Sequence, residues 1–443
     1  MLVHDLEATT PRELLSRLSE GREITDALFA TVHPEALYAR PIAERHRIIF
    51  YIGHVEAFDW NLLNRRMFTA DSFSPDLDRL FAFGIDPVDG GLPADQPADW
   101  PQLEAVQSYV KRVRSEIDDR LANVLSSAEP AETANILLNV AIEHRLMHAE
   151  TLAYMLHRLP YNQKFAQTAT PQSKLPTIQP SLIEIPAGSA TLGLSRSDPA
   201  FGWDNEYERQ TVDVPAFAID RHKVTNREFL QFMEDGGYER RELWRDADWE
   251  WKETSGISHP AFWRQEGREW AWKGMFQEFS LPADWPVFAS QAEASAYARW
   301  TGKVLPTEEQ WQRAAYGSED ADSRDYPWGP APPDSSRGNF DFQRWDPAPV
   351  GSHPSGTSAF GVEGMLGNGW EWTSTLFHPF SGFKPFPFYL GYSADFFDGK
   401  HYVMRGASPR TAACMLRPSF RNWFQPHYQY VYAGFRCVSE RIG

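Results

Sequence analysis

EHRLMHAETLAYM, residues 143–155, reads as helix and sets His144 and His148 four positions apart. Side chains at i and i+4 share one helix face, with Cβ atoms about 5–6 Å apart. Both imidazoles can then reach a single divalent metal. The pattern extends through ETANILLNVAIEHRLMHAETLAYMLHRL (132–159), and a second helical pattern at 44–68 carries His54 within FYIGHVEAFDWNLL. Residues 9–32 open with Thr and Pro near a first turn, and residues 100–125 repeat apolar positions at helical spacing. Four helices of this length make a bundle, whose interior is a common place for inward-facing metal ligands. Spacing alone leaves both readings open: a three-histidine metal face, or hydrogen-bonded core and surface histidines like His157, His222, His259 and His427.

Composition narrows the partners. The 43 Lys+Arg against 60 Asp+Glu give a net charge of −17, which argues against a nucleic-acid phosphate partner. No apolar run approaches the roughly 20 residues of a membrane span, and the polar, acidic start does not read as a secretory signal. Two cysteines, Cys414 and Cys437, make no disulfide framework, so a cytoplasmic location is expected.

The texture changes along the chain. Residues 1–160 read as the bundle, and 161–180 as a proline-bearing linker with little apolar periodicity. Residues 181–443 read as short strands, tight turns and glycines. Aromatic residues make up 14% of the chain, and most of the 17 tryptophans fall after residue 200, which predicts irregular aromatic packing. SLIEIPAGSATLGL (181–194) is expected to be a hairpin. The clear helices expected here are VTNREFLQFMEDGGY (224–238), capped by Thr225 or Asn226, and a segment from Ser290, with a further turn opening at Pro306-Thr307.

IPAGSATLG, FAIDRHKVTNREFLQFM, LPTEEQWQRAAYG, YPWG, GVEGMLGNGWEWTS, VMRGAS and AGFRCV occur in this order over 181–440. Together they resemble the formylglycine-generating-enzyme-like domain, a relative of the C-type lectin fold. GHVEAFDW and HRLMHAE resemble a DinB-type four-helix bundle. The pairing resembles the EgtB/OvoA sulfoxide-synthase family, an α+β architecture covering essentially the whole chain. The resemblance implies a non-haem Fe(II) held by His54, His144 and His148, an O₂-dependent reaction on hercynine, and small-molecule partners only. Glu150 would orient an imidazole or face solvent. Asn422 and Trp423 match the family's Arg-Asn-Trp/Phe motif, which implies contact with the trimethylammonium and carboxylate ends of hercynine; a ring facing a quaternary ammonium is a sound pairing.

Other positions depart from the family pattern. Phe424 and Tyr428 stand where an Asp and an Arg contact the thiol substrate in enzymes using γ-glutamylcysteine. No Lys or Arg lies between Arg79 and Lys111, where that pattern has a carboxylate-gripping Arg. Met147 replaces a Gln, and Phe380, with Phe383 at the next contact, replaces a Tyr that serves the oxygen chemistry. Phe donates no proton, so the catalytic donor is left open among Tyr389, Tyr392 and Tyr428. These departures favour the selenoneine-synthase branch, in which a selenosugar is joined to imidazole C2 of hercynine. The alternative is a hercynine sulfoxide synthase of ergothioneine biosynthesis using cysteine or γ-glutamylcysteine. Two further readings are a copper-dependent formylglycine-generating enzyme, needing a close cysteine pair, and a non-catalytic sugar-binding module.

Overall fold

The computed structural model describes residues 11–85, 92–125, 132–167, 178–320 and 323–439. It divides into two compact units: Met1–Gln167 with Pro199–Phe201, and Thr168–Asp198 with Gly202–Gly443. Half of the expected linker, residues 168–177, lies outside the described residues.

The first unit is helical: α1 (Pro11–Phe29), α2 (Ile48–Leu63), α3 (Pro75–Phe83), α4 (Leu103–Leu125) and α5 (Glu132–His157). α2 is buried on almost every side and packs against α3, α4 and α5, while α1 packs on α5. A helix apolar all round belongs at the centre of a bundle. Its Ile48, Ile49, Trp60 and Leu63 are at most 1% exposed, and burying each such side chain contributes about 1.5–3 kcal/mol. α3 is a helix that the sequence pattern does not predict. Its start signals are present, with Pro75 at the first position and Asp76 and Asp78 in the first turn. Nine residues were too few for periodicity to reveal it. Asp78 fastens α3 to the bundle, accepting from Trp60 Nε1 at 3.2 Å and from the Tyr109 hydroxyl at 2.6 Å.

The second unit is built on a four-stranded sheet in the order Asn422–Phe424, Tyr402–Ala407, Gly369–Leu376, Ala433–Gly434. The predicted 181–194 hairpin is not formed. Leu182–Ile185 pairs with Phe217–Asp220, and Gly188–Leu192 pairs with Gln210–Val214. The intervening Pro-Ala-Gly carries the chain between two sheets, and Arg313 satisfies its backbone by donating to the carbonyls of Pro186, Ala187 and Ser189. A local turn signal cannot register a guanidinium that arrives from over a hundred residues away.

The helix starts read from the sequence are present. Thr225, Ser290 and Thr307 are N-caps, each closing a capping box with Glu228, Glu293 and Gln310. Asp246–Thr254 is an additional helix. The expected aromatic packing is present, with Trp203, Trp263, Trp272, Trp311, Trp370 and Trp372 all but inaccessible. At the GNGW turn, Gly369 has φ of 125° and a Cβ there would meet the Phe288 ring at 2.7 Å, so only glycine fits. Among the described residues no helix is long and apolar enough to cross a membrane.

Candidate metal centre

Phe50, His54 and Phe58 recur every fourth residue on α2 and form one stripe. Across from it, α5 presents His144 and His148. The ring centroids of His54, His144 and His148 lie 4.5–5.3 Å apart, and His54 Nε2 is 3.2 Å from His148 Nε2. Ligand atoms of all three lie within 4.8 Å of one another, which no other trio of His, Cys, Asp or Glu among the described residues achieves. Phe50 stacks on His54 at 4.6 Å from one turn earlier on α2, and Phe58 of α2 stacks across the helix pair on His144 of α5 at 3.4 Å, so a ring sets the plane of each of these two imidazoles. His144 is buried, whereas His54, Phe58, Met147 and His148 keep partial exposure and mark the accessible side.

The tautomer of His54 follows from its partner. Its Nδ1 donates to the Phe81 carbonyl of α3 at 2.7 Å. A carbonyl only accepts, so the neutral ring leaves its lone pair on Nε2, facing His148. Burial lowers the His54 pKa to about 4 despite that hydrogen bond. Burial also holds His144 and His148 well below the usual histidine range, reinforced at His144 by His148 and at His148 by His54. Three neutral imidazoles with converging nitrogens fit a divalent transition metal. Two nitrogens each about 2.1 Å from one ion, at angles between octahedral and tetrahedral, stand about 3.0–3.4 Å apart. The observed 3.2 Å separation falls in that interval. Glu150 is only 9% exposed, so the solvated reading of it does not hold.

A buried ionic group beside the histidines went unread in the sequence. Arg145 is enclosed with Glu56 and Asp59 of α2. Its signal was present, since two carboxylates three residues apart in an otherwise apolar helix require a countercharge.

In the second unit, Asn422, Trp423 and Phe424 form the edge strand paired with Met404, Val403 and Tyr402. Asn422 Oδ1 accepts from the Trp423 amide at 2.9 Å. One face of Trp423 is covered by Phe377, at 4.2 Å and 7° between planes, with Tyr392 and Phe396 at 5.5 and 5.6 Å. Phe424 and Tyr428 stack on each other at 4.9 Å. Phe380 is buried beneath the Arg421 guanidinium at 4.3 Å, and Arg421 is in turn clamped by both carboxylate oxygens of Glu308 at 2.9 and 3.0 Å. Phe383 is set against Phe397 at 5.1 Å. Within this unit Trp423 and Tyr392 come together as one aromatic wall, and Phe424 with Tyr428 as a separate stacked pair.

A helical bundle with an inward histidine trio, joined to an irregular aromatic domain, defines a two-part architecture that comparison with known proteins identifies. The sulfatase-modifying factor enzyme 1-like domain matches residues 167–441, and the DinB superfamily matches residues 17–152. The chain belongs to the EgtB/OvoA-like family and is an enzyme of that family. It is 38% identical to a hercynine oxygenase of Mycobacterium tuberculosis, over 75% of this chain and 77% of that one. It is 33% identical to the hercynine oxygenase of Mycolicibacterium smegmatis, over 88% and 89%. Ergothioneine biosynthesis protein 1 of Neurospora crassa is 27% identical over 92% of this chain, which spans 55% of that longer protein.

Proposed function

We propose that this chain is a non-haem iron(II), O₂-dependent synthase that joins a chalcogen donor to imidazole C2 of hercynine, and that the donor is a selenosugar. The observation carrying the reading is the convergence of His54, His144 and His148, three neutral nitrogen donors on two packed helices. Fe(II) bound there would supply the redox chemistry by which dioxygen serves as oxidant. Joining C2–H to Se–H removes two protons and two electrons, and dioxygen is their acceptor. The part of the protein is to bind, orient and exclude. The Phe81 carbonyl keeps the His54 lone pair inward, and Phe50 and Phe58 shield the rings from water. Trp423 offers an aromatic face for a quaternary ammonium.

The donor assignment is supported by the stacked Phe424–Tyr428 pair. Neither ring can neutralise a carboxylate or an ammonium, and aromatic faces pack well on the C–H surfaces of a neutral sugar. Phe380, buried under Arg421, offers no proton, while Tyr392 lies against Trp423 and carries a hydroxyl. The second reading, a hercynine sulfoxide synthase using cysteine or γ-glutamylcysteine, is favoured by the hercynine oxygenase relatives. The copper-thiolate reading is disfavoured because Cys437 is fully buried and burial pushes its thiol pKa up.

The deciding experiment loads the protein with Fe(II) anaerobically, then adds hercynine, air and equal selenoglucose, cysteine and γ-glutamylcysteine. A dominant selenosugar–hercynine conjugate by mass spectrometry is expected. A thiol-derived sulfoxide instead returns the chain to ergothioneine synthesis, and no hercynine consumption with any donor refutes both readings.

A further inference from the structure

Arg145, the one arginine of α5, sits between His144 and His148 in sequence, and its side chain is wholly inaccessible, as are those of Glu56 and Asp59. Its Nη1 donates to Glu56 Oε1 at 2.8 Å, and its Nη2 to Asp59 Oδ2 at 2.5 Å and to the Val55 carbonyl at 3.2 Å. Arg114 of α4 donates to the same Glu56 oxygen at 2.9 and 2.7 Å and reaches on to Asp26 of α1. All three α2 partners of Arg145 lie within five residues after His54. One planar fork therefore ties the turn following His54 to the turn that carries the other two histidines.

Stability is a poor explanation for this arrangement. Taking three charges out of water is costly, and the interior attraction offsets it only when the remaining polar atoms are also bonded. Here Glu56 Oε2, Asp59 Oδ1 and Arg145 Nε have no hydrogen-bond partner among the described residues. Apolar side chains of similar volume would fill the space without that penalty. They would lack direction, because apolar burial has no preferred orientation. α2 is buried on nearly all sides, so rotating or sliding it changes little buried area, whereas a one-residue slip moves a side chain by about 1.5 Å along the axis and 100° around it. A guanidinium that must meet two carboxylates and a carbonyl accepts one register only. Metal bonds tolerate errors of about 0.2 Å.

We propose that Arg145, with Glu56 and Asp59, is a positioning set that fixes the register of α2 on α5 and thereby holds His54 at ligating distance from His148. The inference rests on the reading of the three histidines as metal ligands. The test is titration of the full-length apoprotein with Co(II), read by visible absorption, in wild type, H148A, the triple variant E56L/D59L/R145M and R145K. Wild type that binds no Co(II), or H148A that binds like wild type, overturns the ligand reading itself. With that reading standing, the triple variant is expected to keep its circular dichroism and thermal transition. It should bind Co(II) about 10- to 100-fold more weakly, with a changed absorption spectrum. A folded triple variant with native affinity and spectrum overturns the proposal. If the triple variant does not fold, R145K decides, because lysine keeps the charge but loses the fork. Weakened binding with a shifted spectrum supports the positioning role, and unchanged binding overturns it.

Discussion

Replacing Trp423 with leucine removes an aromatic face while keeping most of the apolar volume, and so tests the proposed cation–π contribution to hercynine binding. The structure bounds that contribution. Phe377 stacks on the indole at 4.2 Å, Tyr392 and Phe396 stand 5.5 and 5.6 Å from it, and the residue is half-buried. A cation over an aromatic face is worth about 0.5–1 kcal/mol when exposed and about 2 kcal/mol when desolvated. A half-buried site falls at about 1–2 kcal/mol, which is about a 5- to 30-fold rise in Kd. W423L should therefore weaken hercynine binding by that factor in isothermal titration calorimetry, while W423F loses less. Histidine supplies the control, since it has the same skeleton without the trimethylammonium and should be affected much less. Equal losses for the two ligands, with an unchanged thermal transition, would refute the assignment of Trp423 to the ammonium.

Other perturbations test the centre, the core and the donor side. H148A removes one of three convergent nitrogens and is expected to reduce bound iron from one equivalent to a trace by elemental analysis, without loss of helical signal. R436M leaves the buried Glu371 with Lys223 at 3.0 Å as its remaining cation in place of Arg436 at 2.6 and 3.0 Å; about 1.5–3 kcal/mol of stability, the worth of a hydrogen bond to a charged group, should be lost in urea unfolding. Burial would raise the Asp95 pKa, but hydrogen bonds from Trp100 and Arg47 and the charges of Arg40 and Arg47 outweigh it and lower the value. A lowered folded-state pKa contributes stability that is full above the unfolded value of about 3.9 and is lost as pH falls through the folded one. The stability gap between wild type and D95N, measured by urea unfolding, should be widest near neutrality and close in acid. Finally, F424D/Y428R restores opposite charges where the rings now stack, and is expected to shift the product ratio in the donor competition toward γ-glutamylcysteine.

Features that arise within a turn or two of chain were legible in the residues alone. The i, i+4 spacing of His144 and His148 put both on one face because helix geometry is local. The helix starts at Thr225, Ser290 and Thr307 were legible because a cap and the turn it opens are neighbours in the chain. The ordered motifs over 181–440 revealed the family and hence the α+β architecture. Periodicity did not reveal the nine-residue α3, although the Phe81 carbonyl that sets the His54 tautomer comes from it. The 181–194 hairpin failed for the opposite reason, since alternation and a turn signal were present but Arg313 drew the backbone between two sheets.

Whatever depends on partners distant in the chain came from the folded arrangement. It brought His54 to 3.2 Å from His148, 94 positions away, buried Arg145 against Glu56 and Asp59, and covered one face of Trp423 with Phe377. Spacing fixes which side chains share a helix face, but nothing local fixes the rotation and height of one helix against another. Packing and buried charge set those, and they exist only once the chain has folded.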